Sequence, residues 1–217
     1  AKAKNFQETL LLAHGYGLQS EAKFLSTWDK KDSEGNQESA IQRLSRENKA
    51  VFQTDILDIS VNGYRAKWTG EAPKNLRTGE YILIKETSHG HWRGGVIRWI
   101  KQSTEKSLEL GLEVLAQEMY SCAVRIQSDR HMSNYHPALI LKNQDLDASK
   151  LTLILPGSQI FREQQAVHLR LGKEEIKLYL LGTQLITQSF VQFDFELLNE
   201  EDQPILLKYI AERNNDA

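Results

Sequence analysis

Six short strand-like stretches at near-regular spacing between residues 50 and 127 constrain this chain more than any other feature. They are 50–58, 62–68, 79–86 (GEYILIKE), 92–101 (WRGGVIRWIK), 107–115 (SLELGLEVL) and 120–127 (YSCAVRIQ). Short β-rich runs separated by Gly, Asn and Ser predict a barrel or a sandwich. Gly94-Gly95 inside the fourth run predicts a bulge or sharp bend of the kind that closes barrels. Trp68, Trp92 and Trp99 are expected in wall and core packing. After a connector at 128–136, a second strand-rich region runs through 137–142, 151–155, 165–171, 174–181 and 190–198. In its last stretch Phe190, Gln192, Asp194 and Glu196 alternate with Val191, Phe193, Phe195 and Leu197, giving one apolar and one largely polar face. This predicts a second small β-barrel, whose sequence is too unlike the first to claim a repeat.

The ends read differently. Leu18, Ala22, Leu25 and Trp28 recur at the period of one helix face, and an earlier short segment, Phe6 to Ala13, is read as helical too. Residues 29–40 are charged and polar and read as an exposed linker. Ile205 to Arg213 predicts a short helix before a polar tail. The expected organisation is a helical lead and linker at 1–40, a first barrel at 41–128, a second at 129–200 and a tail at 201–217. The chain starts Ala-Lys-Ala-Lys rather than with Met, so it is read as a fragment with an upstream domain of the same chain; a protein partner is the other expectation.

Composition excludes several function classes. Of 217 residues, 40% are hydrophobic and 26% charged, enough for a packed core in a soluble protein. A formal net charge of −2 argues against wholesale binding to duplex nucleic acid or to an anionic membrane, so any anionic ligand needs a local basic cluster. No apolar run reaches the ~18 residues of a membrane span, and there is no secretory signal, so a cytoplasmic location is expected. Cys122, the one cysteine, sits in apolar text and reads as a small buried hydrophobe. The pairs His89/His91 and His131/His136 lack structural zinc spacing. No nucleophile elbow, phosphate loop or dinucleotide fingerprint is present. No catalytic residue, metal or cofactor is therefore expected.

The stretch Asp58-Ile59-Ser60-Val61-Asn62-Gly63 closes the first strand. Side chains at i and i+2 share a face. Asp58 and Ser60 are expected together on the outer surface, with Leu57 and Ile59 on the apolar inner face. Gly63 marks a turn that needs φ > 0 or a place where a ligand must come close to the backbone.

Asp58-x-Ser60-x-x-Gly63, followed by Gly95-Val96-Ile97-Arg98-Trp99 and Leu110-Gly111-Leu112-Glu113, resembles the PilZ domain over roughly residues 42–127. The resemblance implies a mainly β fold with a six-stranded antiparallel barrel that binds cyclic di-GMP. It implies ligand contacts from Asp58, Ser60 and Gly63, and from a family Arg-x-x-x-Arg segment ahead of the first strand. Here that segment departs from the pattern: Gln42 and Arg46 stand at i and i+4, while Arg43 and Arg46 stand at i and i+3, sharing a face only in a helical turn. Arginine suits both phosphate oxygens and the guanine edge. Arg65 and Arg98 are further candidates by position. The implied function is a bacterial signalling receptor or adaptor that changes conformation or partner contacts when the nucleotide binds. The alternative is a PilZ-like interaction module that no longer binds it. Single-stranded nucleic-acid binding by a barrel would need a basic groove that the net charge does not promise.

Overall fold

The computed structural model describes residues 9–13, 51–72, 76–87, 91–104, 106–128, 131–143 and 150–214. The first barrel is built from β1 (Thr9–Ala13), β2 (Val51–Ser60), β3 (Gly63–Thr69), β4 (Tyr81–Glu86), β5 (Arg93–Thr104) and β6 (Ser107–Ala116). They close in the order β1-β2-β3-β6-β5-β4, every pair antiparallel. The second barrel comprises β7 (Glu118–Arg125), β8 (His136–Lys142), β9 (Leu151–Pro156), β10 (Gln165–Leu171), β11 (Glu174–Ile186) and β12 (Phe190–Leu197). It closes as β7-β8-β9-β12-β11-β10, so strand for strand it repeats the order of the first.

Two expectations are corrected. Thr9–Ala13 lies in the segment read as helical, yet it is the strand that closes the first barrel, pairing with β2 on one side and β4 on the other. A run as short as TLLLA has no resolvable period. Burial of Leu10 and Leu12 at i and i+2, and the need to cover two strand edges, decide for β. The stretch 120–127, expected as the sixth strand of the first barrel, is β7 of the second. The first barrel therefore begins before residue 41, and the change to the second comes near residue 117 instead of at 128. The rest of the predicted helical lead and the 29–40 linker lie outside the described residues.

Alternation explains the first core. Leu10, Leu12, Tyr64, Ala66, Trp68, Ile82, Ile84, Ile97, Leu110 and Leu112 point inward and are buried, with Phe52 against Trp68 at 4.6 Å between ring centroids. A register shift falls at Gly94-Gly95 as expected, but the extra residue is Leu115 on β6, since Gly94 pairs with Ala116 and Gly95 with Val114. The second core gathers Cys122, Val124, Ile140, Leu153, Val167, Leu169, Leu178 and Phe193, so Cys122 is the buried hydrophobe expected. The C-terminal helix α1 (Gln203–Asn214) lays Leu206, Tyr209 and Ile210 on this core, and the Tyr209 hydroxyl donates to the Ser121 carbonyl. Among the described residues no helix is long and apolar enough to cross a membrane.

A third apolar cluster joins the barrels. Val96 and Ala116 of the first meet Leu139, Leu141, Ile154 and Phe190 of the second, and Tyr81 stands edge-on to Phe190 at 5.8 Å. The register runs Leu139↔Ile154↔Gln192↔Leu185 across β8, β9, β12 and β11. By strand order this face corresponds to the outer face of β2, β3, β6 and β5 in the first barrel. Among the described residues the first barrel leaves that face uncovered apart from its Val96 and Ala116 end, whereas the second spends it on packing.

Candidate functional site

The outer face of β2, β3, β6 and β5 carries the sequence-predicted residues. β2 contains a bulge: Ile56 pairs with Ala66 and Asp58 with Arg65, so Leu57 has no partner opposite. The extra residue sends Leu57 outward beside Asp58, which corrects the expectation that it faces the core; it is 43% exposed. Ile59 pairs with the buried Tyr64 and so lies on the inner side. It sits at the barrel mouth, where none of the described residues covers it, and is 53% exposed. Asp58 and Ser60 share the outer face as expected. Asp58 Oδ1 accepts from the Ile59 N–H at 2.9 Å, and the Ser60 hydroxyl donates to the Gly63 carbonyl at 3.3 Å.

Gly63 is not a positive-φ residue. A Cβ there would collide with the Leu112 carbonyl oxygen and lie 3.0 Å from Leu112 C and 3.2 Å from Glu113 Cα. The positive φ read from the sequence is not found; among the described residues what comes close to Gly63 is the backbone of β6, a neighbour that the sequence reading did not foresee.

Across the sheet, Asp58, Arg65, Gly111 and Trp99 stand in one row on four strands. Trp99 lies over Gly111, whose missing side chain gives the indole its place: a Cβ would fall within 2.6 Å of Trp99 Cδ1. Trp68 is in the core as expected, Trp92 is half-buried, and Trp99 packs on the outer wall, where it stays 41% exposed. Sequence reasoning did not count it among the candidate residues of this face. The signal was Gly111 at the position opposite.

Arg65 donates to Glu109 Oε2 through Nε at 3.1 Å and through a terminal nitrogen at 2.8 Å, and this pairing holds the Glu109 carboxyl below its ordinary pKa. Arg98, the unpaired residue of a second bulge, donates to Glu113. Further along, Lys67 and Lys101 stand in register with Asp55 and Glu109. The basic groups of this face are thus matched by Asp55, Asp58, Glu109 and Glu113. Gln42, Arg43 and Arg46 lie outside the described residues.

Beneath the hairpin, inside the barrel mouth, Tyr64 donates to Glu86 Oε1, and Arg93 donates to both the Tyr64 hydroxyl and Glu86, the latter at 2.8 Å. Burial, then the Glu86 hydrogen bond, outweigh Arg93 and raise the Tyr64 pKa above 10.0. An acid whose folded pKa is raised contributes stability that is complete below its unfolded pKa and lost as pH rises through the folded one. Denaturant melts should therefore lose stability above about pH 10. Tyr64→Phe should flatten that alkaline limb and cost about 1 kcal/mol at neutral pH. An unchanged limb would show that Tyr64 is not its source.

Comparison with known proteins follows the same division of the chain. Residues 7–120 match the family model of the cyclic-di-GMP receptor FimW, middle PilZ domain, and residues 122–198 match that of the FimW C-terminal beta-barrel domain. The cyclic-di-GMP receptor FimW of Pseudomonas aeruginosa is 26% identical over 171 residues, covering 78% of this chain and 28% of that protein. The chain thus spans under a third of the length of that relative. Among solved structures, MrkH, described as a c-di-GMP dependence transcription regulatory factor, aligns at 14% identity over 82% of this chain and 90% of its own, with a TM-score of 0.36. The K. pneumonia MrkH–c-di-GMP complex aligns at 13% identity over 82% and 94%, with a TM-score of 0.30. With its middle domain matched over more than half of the chain and its second barrel matched separately, this chain belongs to the FimW family, carrying the middle PilZ domain and the C-terminal β-barrel domain that follows it.

Proposed function

We propose that the chain is a cyclic di-GMP receptor that binds the nucleotide on the outer face of the first barrel. The observation that carries this is the pairing of family membership with Asp58 and Ser60 side by side on an open face, next to an exposed indole. Asp58 would accept from guanine N1–H and N2–H₂ with the carboxylate oxygen that Ile59 does not use. Ser60 would bond a phosphate or base edge. Trp99, held flat on Gly111, offers a base a stacking surface, worth about 1–3 kcal/mol per base. Arg65 and Arg98 would contribute by turning from Glu109 and Glu113. Gly63 acts through the fold, keeping β3 against β6.

The signal would be conformational. Ligand would draw the segment containing Gln42, Arg43 and Arg46 toward Asp58 and so change the contacts of whatever precedes it: an upstream domain or a protein partner. It can do so only as far as its affinity differs between the two arrangements.

Calorimetric titration of the purified chain with cyclic di-GMP tests the reading. Saturable binding at micromolar or tighter affinity is expected, weakened about ten-fold or more by Asp58→Ala, since a hydrogen bond to a charged group is worth about 1.5–3 kcal/mol. A folded parent that gives neither heat nor thermal shift would sink the receptor reading. It would favour a nucleotide-free interaction module, for which the exposed Leu57, Ile59 and Val61 at the hairpin are the first surface to test.

A further inference from the structure

The second barrel has its face corresponding to the candidate site buried against the first, but the outer surface of β7, β10 and β11 is open and polar among the described residues. A solvent-open cavity of about 290 Å³ lies there, lined by Gln127, Ser128, Ala166, His168, Lys177 and Leu198. Its size is near the lower end of small-molecule sites, about 300–1,000 Å³. Strand pairing accounts for it. β7 and β10 pair only from Ala123↔Arg170 to Arg125↔His168. Beyond that point β7 turns away into the Gln127↔Met132 bridge, and the small side chain of Ala166 does not fill the gap.

The walls select the occupant. His168 is already held, Nδ1 at 3.1 Å from Glu175 Oε1 and Nε2 at 2.8 Å from Gln127 Oε1. Glu175 also accepts from Arg125 at 2.7 Å and from the Tyr135 hydroxyl, so the carboxylate beside the cavity is engaged and its charge is met. A second guanidinium, Arg170, lies with Arg125 over the Tyr135 ring, at 5.3 and 4.7 Å. The next carboxylate, Asp202, accepts from the Lys177 backbone N–H at 3.5 Å and from the Asn199 amide at 3.3 Å. The Lys177 ammonium has no acidic partner among the described residues. In a chain of net charge −2, this corner of the second barrel holds a cation facing a cavity.

We propose that the cavity is a second binding site, distinct from the nucleotide face, that takes a small anionic group, a carboxylate or a phosphate. Lys177 supplies the counter-charge and the Gln127 amide NH₂ a hydrogen bond. Leu198 meets any apolar body attached to the anion. His168 positions Gln127 and does not itself touch the ligand.

Nitrogen–proton correlation spectra of the whole chain test this, with inorganic phosphate as one titrant, acetate as the other and chloride at matched ionic strength as the control. Saturable shifts at Gln127, Ser128 and His168 that chloride does not reproduce are expected, with Asp58 and Arg65 unmoved. A response to phosphate alone assigns a phosphate ligand; a response to acetate assigns a carboxylate. Lys177→Ala should weaken binding about ten-fold and Lys177→Arg should retain it. Lys177 is exposed, so an otherwise superimposable spectrum will show that the variant folds. Identical shifts in chloride, or a Lys177→Ala variant that binds as the parent does, would overturn the proposal.

Discussion

Gly63→Ala is expected to destabilise the protein by about 3 kcal/mol or more, well above the ~1 kcal/mol centre of single-mutation effects. The new methyl group would be driven into the Leu112 carbonyl and against Glu113 Cα, which are backbone atoms of a paired strand. A flexible side chain could swing aside; β6 cannot without giving up its ladder with β3 and, through Val96↔Glu113, disturbing β5. Against a usual total of about 5–15 kcal/mol, this is a large fraction. The control is Gly182→Ala, where nothing lies within 4 Å of the added Cβ and φ is not left-handed. That change should stay within about 0.5 kcal/mol. Urea midpoints of the two variants decide the matter: equal midpoints would mean that β3 and β6 tolerate separation and that the glycine serves the ligand. A lower midpoint for Gly63→Ala alone would mean that any loss of nucleotide binding in that variant is a folding effect.

Strand-by-strand alternation made most of the fold legible. β11 runs on to Ile186, five residues past its expected end, but β2 to β6, β8 to β10 and β12 were each read within three residues of their observed bounds, as alternating runs or, in β8 and β9, as short runs apolar on both faces. β1 was not, because five residues cannot display a period, and because its partners lie far along the chain, at Val51–Asp55 and Leu83–Glu86. Losing β1 forced the next available strand, β7, into the wrong barrel. The common strand order of the two barrels is equally invisible in the text, since the residues on the shared face were put to opposite uses: Asp58, Arg65, Gly111 and Trp99 in one, Leu139, Ile154, Gln192 and Leu185 in the other. In the site, Asp58 and Ser60 were placed by simple parity. Leu57 and Ile59 were not, because a bulge flips parity locally and the mouth of a barrel exposes even an inward side chain. The partners Glu109 and Glu113 depend on cross-strand register, which no local pattern encodes.

Those partners bear on which arginines matter. Arg65 and Arg98 are each tied to a carboxylate, and Lys67 and Lys101 face Asp55 and Glu109, so the described face has no surplus positive charge to offer two phosphates. If cyclic di-GMP binds here, its charge must be met by cations from elsewhere in the chain, and the sequence supplies Arg43 and Arg46 just ahead of β2. Reach limits how. Val51 to Asp58 spans roughly 23 Å of strand, while the five residue steps from Arg46 to Val51 extend to about 17 Å at most. The segment must therefore fold back along the outer face of β2 for the Arg46 side chain to meet a ligand at Asp58, with Gln42 and Arg43 following. Two guanidinium groups at about 1.5–3 kcal/mol each put the loss on removing both near 10³-fold. The Arg43→Ala/Arg46→Ala variant should thus lose measurable heat with cyclic di-GMP, whereas Arg65→Ala and Arg98→Ala should change affinity by no more than about ten-fold, each freeing a carboxylate as it removes a cation. The reverse ranking, with the double variant binding normally and Arg65→Ala failing, would mean that the strands alone hold the nucleotide and that binding does not recruit the segment ahead of β2.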